Sequence, residues 1–217
     1  MVTCGTRRAE WSLAQMKKWF AVIGLLPFMA MPAASAAGGD AAAGAQKAAV
    51  CGACHGADGN SVNPEWPKLA GQQASYIASQ LAGFKAGTRV NVIMAPNAMI
   101  LSDQDMADLA AYFSGQVLQG GEADPSLYKA GEKLYRGGDA ARGLPACIAC
   151  HGPQGQGNGP AQYPSLRAQH SVYTYSQLKA FASGERRSAT NSIMQVVAGK
   201  LSDEEMRAVS SYVQGLR

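Results

Sequence analysis

Cys51-Gly52-Ala53-Cys54-His55 recurs 96 residues later as Cys147-Ile148-Ala149-Cys150-His151. Each is a C-x-x-C-H string, the spacing at which two thiols add across the two vinyl groups of one porphyrin while the adjacent histidine reaches its iron from the same face. The two copies use four of the five cysteines and two of the three histidines. A redox dithiol does not need the following histidine, and a zinc site would need further ligands that are scarce in this chain. The pattern implies two covalently attached c-type haems, one per string.

The segment before the first string reads as a leader. Lys17-Lys18 precede an apolar run from Trp19 to Met31, broken only by Gly24 and Pro27, and Ala34-Ser35-Ala36 fits a small-residue cleavage site. Residues 1–36 are therefore expected to be a secretory signal peptide, the run being short for a membrane span. Met16-Lys17-Lys18 would open a conventional leader by itself, so either Met1 or Met16 starts the chain, residues 1–15 being an extension in the second case. Cys4 precedes the apolar run and is not placed as a lipoprotein cysteine. The formal charge of +4 owes +3 to this segment, where Arg7, Arg8, Lys17 and Lys18 face only Glu10. The rest of the chain is nearly neutral, and four haem propionates would turn it negative. Nothing in that balance supports nucleic-acid binding. Export suits haem attachment outside the inner membrane, and no spare cysteine pair suggests a disulfide.

The two strings sit in matching halves. Pro67-Lys68-Leu69 matches Pro164-Ser165-Leu166, and Gln72, Tyr76, Ser79-Gln80-Leu81, Phe84, Gly87 and Arg89 match Gln169, Tyr173, Ser176-Gln177-Leu178, Phe181, Gly184 and Arg186. Leu101-Ser102-Asp103 matches Leu201-Ser202-Asp203. A period near 100 residues means duplicated domains rather than a solenoid. Domain 1 is expected over 37–119, a turn-rich linker over 120–124 and domain 2 over 125–217. The fold class is all-α. Helices are expected over 40–50, 73–85 and 102–113, repeated as 125–136, 172–182 and 202–213, with Ser202-x-x-Glu205 a capping box and Ser102-x-x-Asp105 close to one. Domain 2 adds a Gly-rich loop over 137–146. Each domain is small for an apolar core of its own, so a buried cofactor would complete it.

Domain 1 has no histidine besides His55, which excludes bis-histidine ligation there within this chain. Methionine is the natural sixth ligand, and His/Met ligation raises the reduction potential. The repeat selects it: Met94 lies eight residues before Ser102, and Met194 eight before Ser202. Met99 is the local rival, but its counterpart is Gly199; Met106 and Met206 correspond, yet fall inside the third helices as core fillers. Met94 and Met194 are read as loop residues after the second helices. A carbonyl near Pro67 and near Pro164 would accept the Nδ1–H of each haem histidine. Leu69 and Leu166 are expected on the porphyrin face. Tyr76 and Tyr173 read equally well as propionate partners or core residues. His170, opposite Gln73 in the repeat, reads as a surface or supporting residue.

C-G-A-C-H-G-A-D-G-N, P-K-L-A-G-Q, the methionine eight before the serine of L-S-D, and the closing S-Y-V-Q-G-L together resemble the dihaem cytochrome c4 family over about residues 38–217. The resemblance implies two tandem class I cytochrome c domains, each wrapped around one covalent haem, related by a pseudo-twofold axis with the propionates at the domain interface. It implies Cys51, Cys54, Cys147 and Cys150 as thioether residues and His55/Met94 and His151/Met194 as axial pairs. It also implies a periplasmic, monomeric electron carrier of a respiratory chain, between partners such as a quinol-oxidising complex and a terminal oxidase, with peripheral membrane association left open. Arg167-Ala168 departs from the family's small residue and Gly, which puts that turn in question. Two other readings stand beside the carrier. One is an electron-transfer subunit docked to a dehydrogenase such as a flavocytochrome. The other is a dihaem enzyme such as a peroxidase or thiosulfate dehydrogenase, for which only His170 is spare.

Overall fold

The computed structural model of the protein describes residues 38–187 and 191–217. The signal-peptide reading of 1–36 lies outside the described residues. Ala37–Arg217 is one compact unit that contains both halves. Its first half contains α1 (Ala41–Lys47), α2 (Ala49–His55), α3 (Ala74–Lys85), α4 (Met94–Met99) and α5 (Asp103–Ser114). Its second contains α6 (Pro125–Gly137), α7 (Ile148–His151), α8 (Ser171–Ser183), α9 (Ile193–Ala198) and α10 (Asp203–Gly215). Among the described residues the only β pairing is two isolated bridges, Asp139 with Leu144 and Asn158 with Tyr163, so the all-α reading holds. The first of them closes the domain 2 loop around a 3₁₀ turn, Ala140–Arg142, and Arg142 then bridges Asp139 and Glu205.

The long helices follow the apolar periodicity and their caps. Ser102 and Ser202 both close full capping boxes, with Asp105 doing in one what Glu205 does in the other. A carboxylate one methylene shorter still reaches back to the cap N–H. The helix expected over 40–50 runs on instead: it breaks at Ala48 and resumes as α2, so the first haem string is itself helical.

Each half is built on the crossing of its first and last long helices, α1 on α5 and α6 on α10. Glycines permit the contact. A Cβ on Gly44 would stand 2.1 Å from the Asp108 carbonyl oxygen, and one on Gly131 2.2 Å from that of Ala208. The buried clusters differ in size. Domain 2 gathers eleven buried residues, among them Tyr135, Phe181, Val209, Tyr212 and Val213, whereas domain 1 gathers five: Ala48, Ile77, Leu109, Ala110 and Phe113.

The turn at Arg167-Ala168 keeps its shape. Ala168 takes a left-handed φ of 53° where Gly71 has 65°, and each donates its N–H to the end of the last helix, at Val213 and Phe113. Alanine carries the strain that glycine avoids.

Domain 1 has an acid-sensitive crossing. Asp108, 2% exposed, accepts from Lys47 Nζ at 2.6 Å and from the Asp40 N–H at 2.8 Å, and Lys47 also meets Asp105 at 2.7 Å. The Lys47 ammonium, aided by the Asp40 N–H and Gln104, lowers the Asp108 carboxyl to about 2. At the same crossing in domain 2, Leu134 and Ala208 are both buried. A carboxyl whose folded pKa lies below its unfolded one adds stability that is complete above the unfolded value and lost as pH falls through the folded one. Domain 1 is therefore expected to lose the stability that this carboxyl contributes between about pH 4 and pH 2. Acid titration by circular dichroism should show Asp108→Asn losing less stability over that range than the parent.

Candidate haem-binding sites

Cys51 and Cys54 stand one turn apart on α2, and Cys147 and Cys150 have the same spacing at α7; none of the four is in a disulfide, and all are half-buried. Burial pushes the Cys51 thiol up and the Cys147 thiol to about 11. A redox dithiol needs the opposite, a stabilised thiolate. Among the described residues no group of three or more His, Cys, Asp or Glu side chains is placed to hold a metal ion.

His55 and His151 are 7% and 6% exposed. Nδ1 of His55 lies 2.9 Å from the Pro67 carbonyl oxygen, and Nδ1 of His151 lies 3.0 Å from that of Pro164. A carbonyl only accepts, so Nδ1 carries the proton and Nε2 keeps its lone pair. Burial lowers both pKa values, with the carbonyl bonds opposing it in part, and both rings are neutral at pH 7. These are the carbonyl partners expected from the sequence.

The methionines are placed differently from expectation. Met94 and Met194 do not lie in loops: Met94 opens α4, Met194 is the second residue of α9, and both are half-buried. Met194 packs on the domain 2 core, as do Cys147, Ile148 and Leu166. Met99 is 63% exposed, and Met106 and Met206, each 3% exposed, fill the cores. Leu69, Leu81 and Leu101 in one half and Leu166, Val197 and Leu201 in the other stop half-buried against the cores, as do Cys51 and Cys147. A paired thiol, an imidazole fixed by its second nitrogen and an unfinished apolar wall form a donor set and surface that fit a haem in each half.

The two halves meet along a polar seam. Gln169 accepts from the Lys68 N–H and donates to the Lys68 carbonyl, both at 2.9 Å. Gln72 treats Ser165 the same way, at 2.9 and 2.8 Å. Arg89 donates to Tyr173 Oη at 2.9 Å and to Gln177, while Arg186, 8% exposed, donates to Tyr76 Oη at 2.6 Å and to Gln80. Burial would raise the Tyr173 phenol, but Arg89 and Arg186 outweigh it and hold it below its ordinary value. Tyr76 and Tyr173 thus lie at the interface of the two halves. His170 is committed as well: its Nε2 lies 2.8 Å from the Ser61 carbonyl oxygen and 3.0 Å from Ser61 Oγ, while its counterpart Gln73 reaches the Gln156 carbonyl. Sequence reasoning matched the glutamines across the repeat without giving them a role. The available signal was their retention, as polar residues, in both copies.

The family profile for cytochrome c matches residues 41–115 and again 128–217. Cytochrome c4 of Azotobacter vinelandii is 49% identical over 206 residues, spanning 90% of this chain and 98% of that protein. The crystal structure of reduced recombinant cytochrome c4 from Pseudomonas stutzeri superposes with a TM-score of 0.81 at 50% identity, covering 82% of this chain and all of that one. A thiosulfate dehydrogenase electron acceptor of Stutzerimonas stutzeri is 38% identical over 174 residues, 78% of this chain and 80% of its own. With two tandem cytochrome c repeats and a C-x-x-C-H string in each, the chain carries two covalently bound haem c groups and belongs to the cytochrome c4 family of dihaem electron-transfer cytochromes.

Proposed function

We propose that the protein is a periplasmic electron carrier of a respiratory chain, delivering electrons toward a terminal oxidase and transforming no substrate itself. In this reading Cys51, Cys54, Cys147 and Cys150 hold the porphyrins, and His55/Met94 and His151/Met194 are the axial pairs. Residues 37–119 and 125–217 are the two domains, joined by 120–124, and residues 1–36 direct export. Haem iron supplies reversible one-electron chemistry. The chain's own residues fix the ligands. The Pro67 and Pro164 carbonyls lock each imidazole in one tautomer and orientation, and the apolar walls exclude water, so little has to reorganise when charge changes. The observation that carries the reading is the equivalence of the two sites: in each half a buried histidine is held by a proline carbonyl through its Nδ1.

The test is oxidation of the reduced holoprotein by a terminal oxidase of the cbb3 type. Rapid oxidation is expected, with peroxidase and thiosulfate-oxidising turnover negligible beside authentic enzymes. Substantial turnover that disappears in His170→Ala would overturn the carrier reading. A second reading, as the electron acceptor of a dehydrogenase, is favoured by the relative named as acceptor for thiosulfate dehydrogenase. Reduction by that enzyme faster than by a quinol-oxidising complex, with copurification of the pair, would select it.

A further inference from the structure

Each haem histidine is connected to a side chain of the opposite half through a single peptide group. The Pro67–Lys68 peptide accepts the His55 Nδ1–H at its carbonyl and gives its N–H to Gln169 Oε1, at 2.9 Å in both cases. The Pro164–Ser165 peptide accepts from His151 at 3.0 Å and gives its N–H to Gln72 Oε1 at 2.9 Å. Both glutamines are 8% exposed. Their orientation is fixed, because the same amides donate to the Lys68 and Ser165 carbonyls. Oε1 also accepts the glutamine's own following N–H, from His170 and from Gln73.

Hydrogen bonds in such a chain strengthen one another. An acceptor on a peptide N–H makes the same peptide's carbonyl oxygen more electron-rich, and out of water that polarisation is not screened away. A more electron-rich carbonyl draws harder on the imidazole proton, raises the ring's donor strength and favours the oxidised iron. We infer that Gln169 and Gln72 are crossed positioning residues, each setting the reduction potential of the haem in the half to which it does not belong. Gln169 acts on His55 through the Pro67–Lys68 peptide, and Gln72 acts on His151 through the Pro164–Ser165 peptide. This rests on the reading of His55 and His151 as the iron-binding histidines. That reading is tested separately in the parent protein, by two covalent haems that both show the ferric His/Met charge-transfer band.

The test is a redox titration of the purified holoprotein resolved haem by haem by proton NMR. The domain 1 haem is marked by Cys51→Ala, which leaves it a single thioether. Gln169→Leu removes the acceptor at nearly constant volume. It should favour reduction of the domain 1 haem severalfold and leave the domain 2 haem close to the parent, and Gln72→Leu should do the converse. Gln169→Glu keeps an oxygen on the Lys68 N–H and should hold the domain 1 haem at or below the parent potential. A glutamine that only cements the seam would, on removal, move both haems together, its own haem, or neither, and any of these overturns the proposal. Should the Leu variants fail to fold, the Glu variants decide alone: a raised potential at the opposite haem, or an equal shift at both, refutes it.

Discussion

If Met94 is the axial ligand proposed above, Met94→Ala is expected to remove about half of the sulfur-to-iron charge-transfer band of the ferric protein, because one of the two proposed His/Met sites would be lost. The affected haem would then fall in potential and bind carbon monoxide, having lost a ligand that favours the reduced state. Met99→Ala should leave the spectrum unchanged. The repeat pairs Met94 with Met194 and leaves Met99 opposite Gly199. Met94 is half-buried at the start of α4, whereas Met99, at its end, is 63% exposed. Loss of the band in Met99→Ala but not in Met94→Ala would show the ligand to be misassigned.

Removing both thiols of one string should have unequal consequences in the two halves. Cys51→Ala with Cys54→Ala should leave one covalent haem and unfold much of domain 1, with the helical signal falling by roughly the share of α1 to α5. The equivalent change at Cys147 and Cys150 should leave domain 2 more nearly intact. Among the described residues, the large buried apolar side chains of domain 1 are five, Ile77, Phe84, Met106, Leu109 and Phe113, whereas domain 2 has ten, among them two tyrosines and a phenylalanine. Burying a large apolar side chain is worth about 1.5–3 kcal/mol, so domain 1 has about half as much as domain 2 to set against the entropy of ordering the chain. Haem stoichiometry by pyridine haemochrome and helicity by circular dichroism would check both variants. Equal unfolding of the two halves would contradict the inferred difference.

The parts of the fold legible in the sequence were those governed by local rules. The capping boxes at Ser102 and Ser202 and the apolar spacing behind them placed α5 and α10 to within a residue or two. The C-x-x-C-H spacing is itself haem chemistry. The carbonyls at Pro67 and Pro164 were legible too, because the distance from each histidine is nearly the same in both halves. The helix at Met94 was not. Met94-Ala95-Pro96-Asn97 reads as a loop, yet Pro96 falls in the first turn of α4, where its missing N–H is not needed. The seam was also invisible: Gln72 reaches Ser165, 93 positions away, and no periodicity reports on a contact at that range.

The reciprocity of that seam has a consequence for how such a chain arises. Gln72 on Ser165 and Gln169 on Lys68 are the paired, self-complementary contacts that two identical protomers make about a dyad. In a homodimer every substitution is felt twice, so the halves must remain alike. Fusion through the linker replaces encounter with a local concentration on the order of millimolar, and each half is then free to drift. Ser61 already faces His170 where Gly157 faces Gln73. The flanks of α4 expose Val90 and Ile100, where those of α9 expose Arg187 and Lys200. Fusion thus turns a symmetric pair into an object with two distinguishable poles.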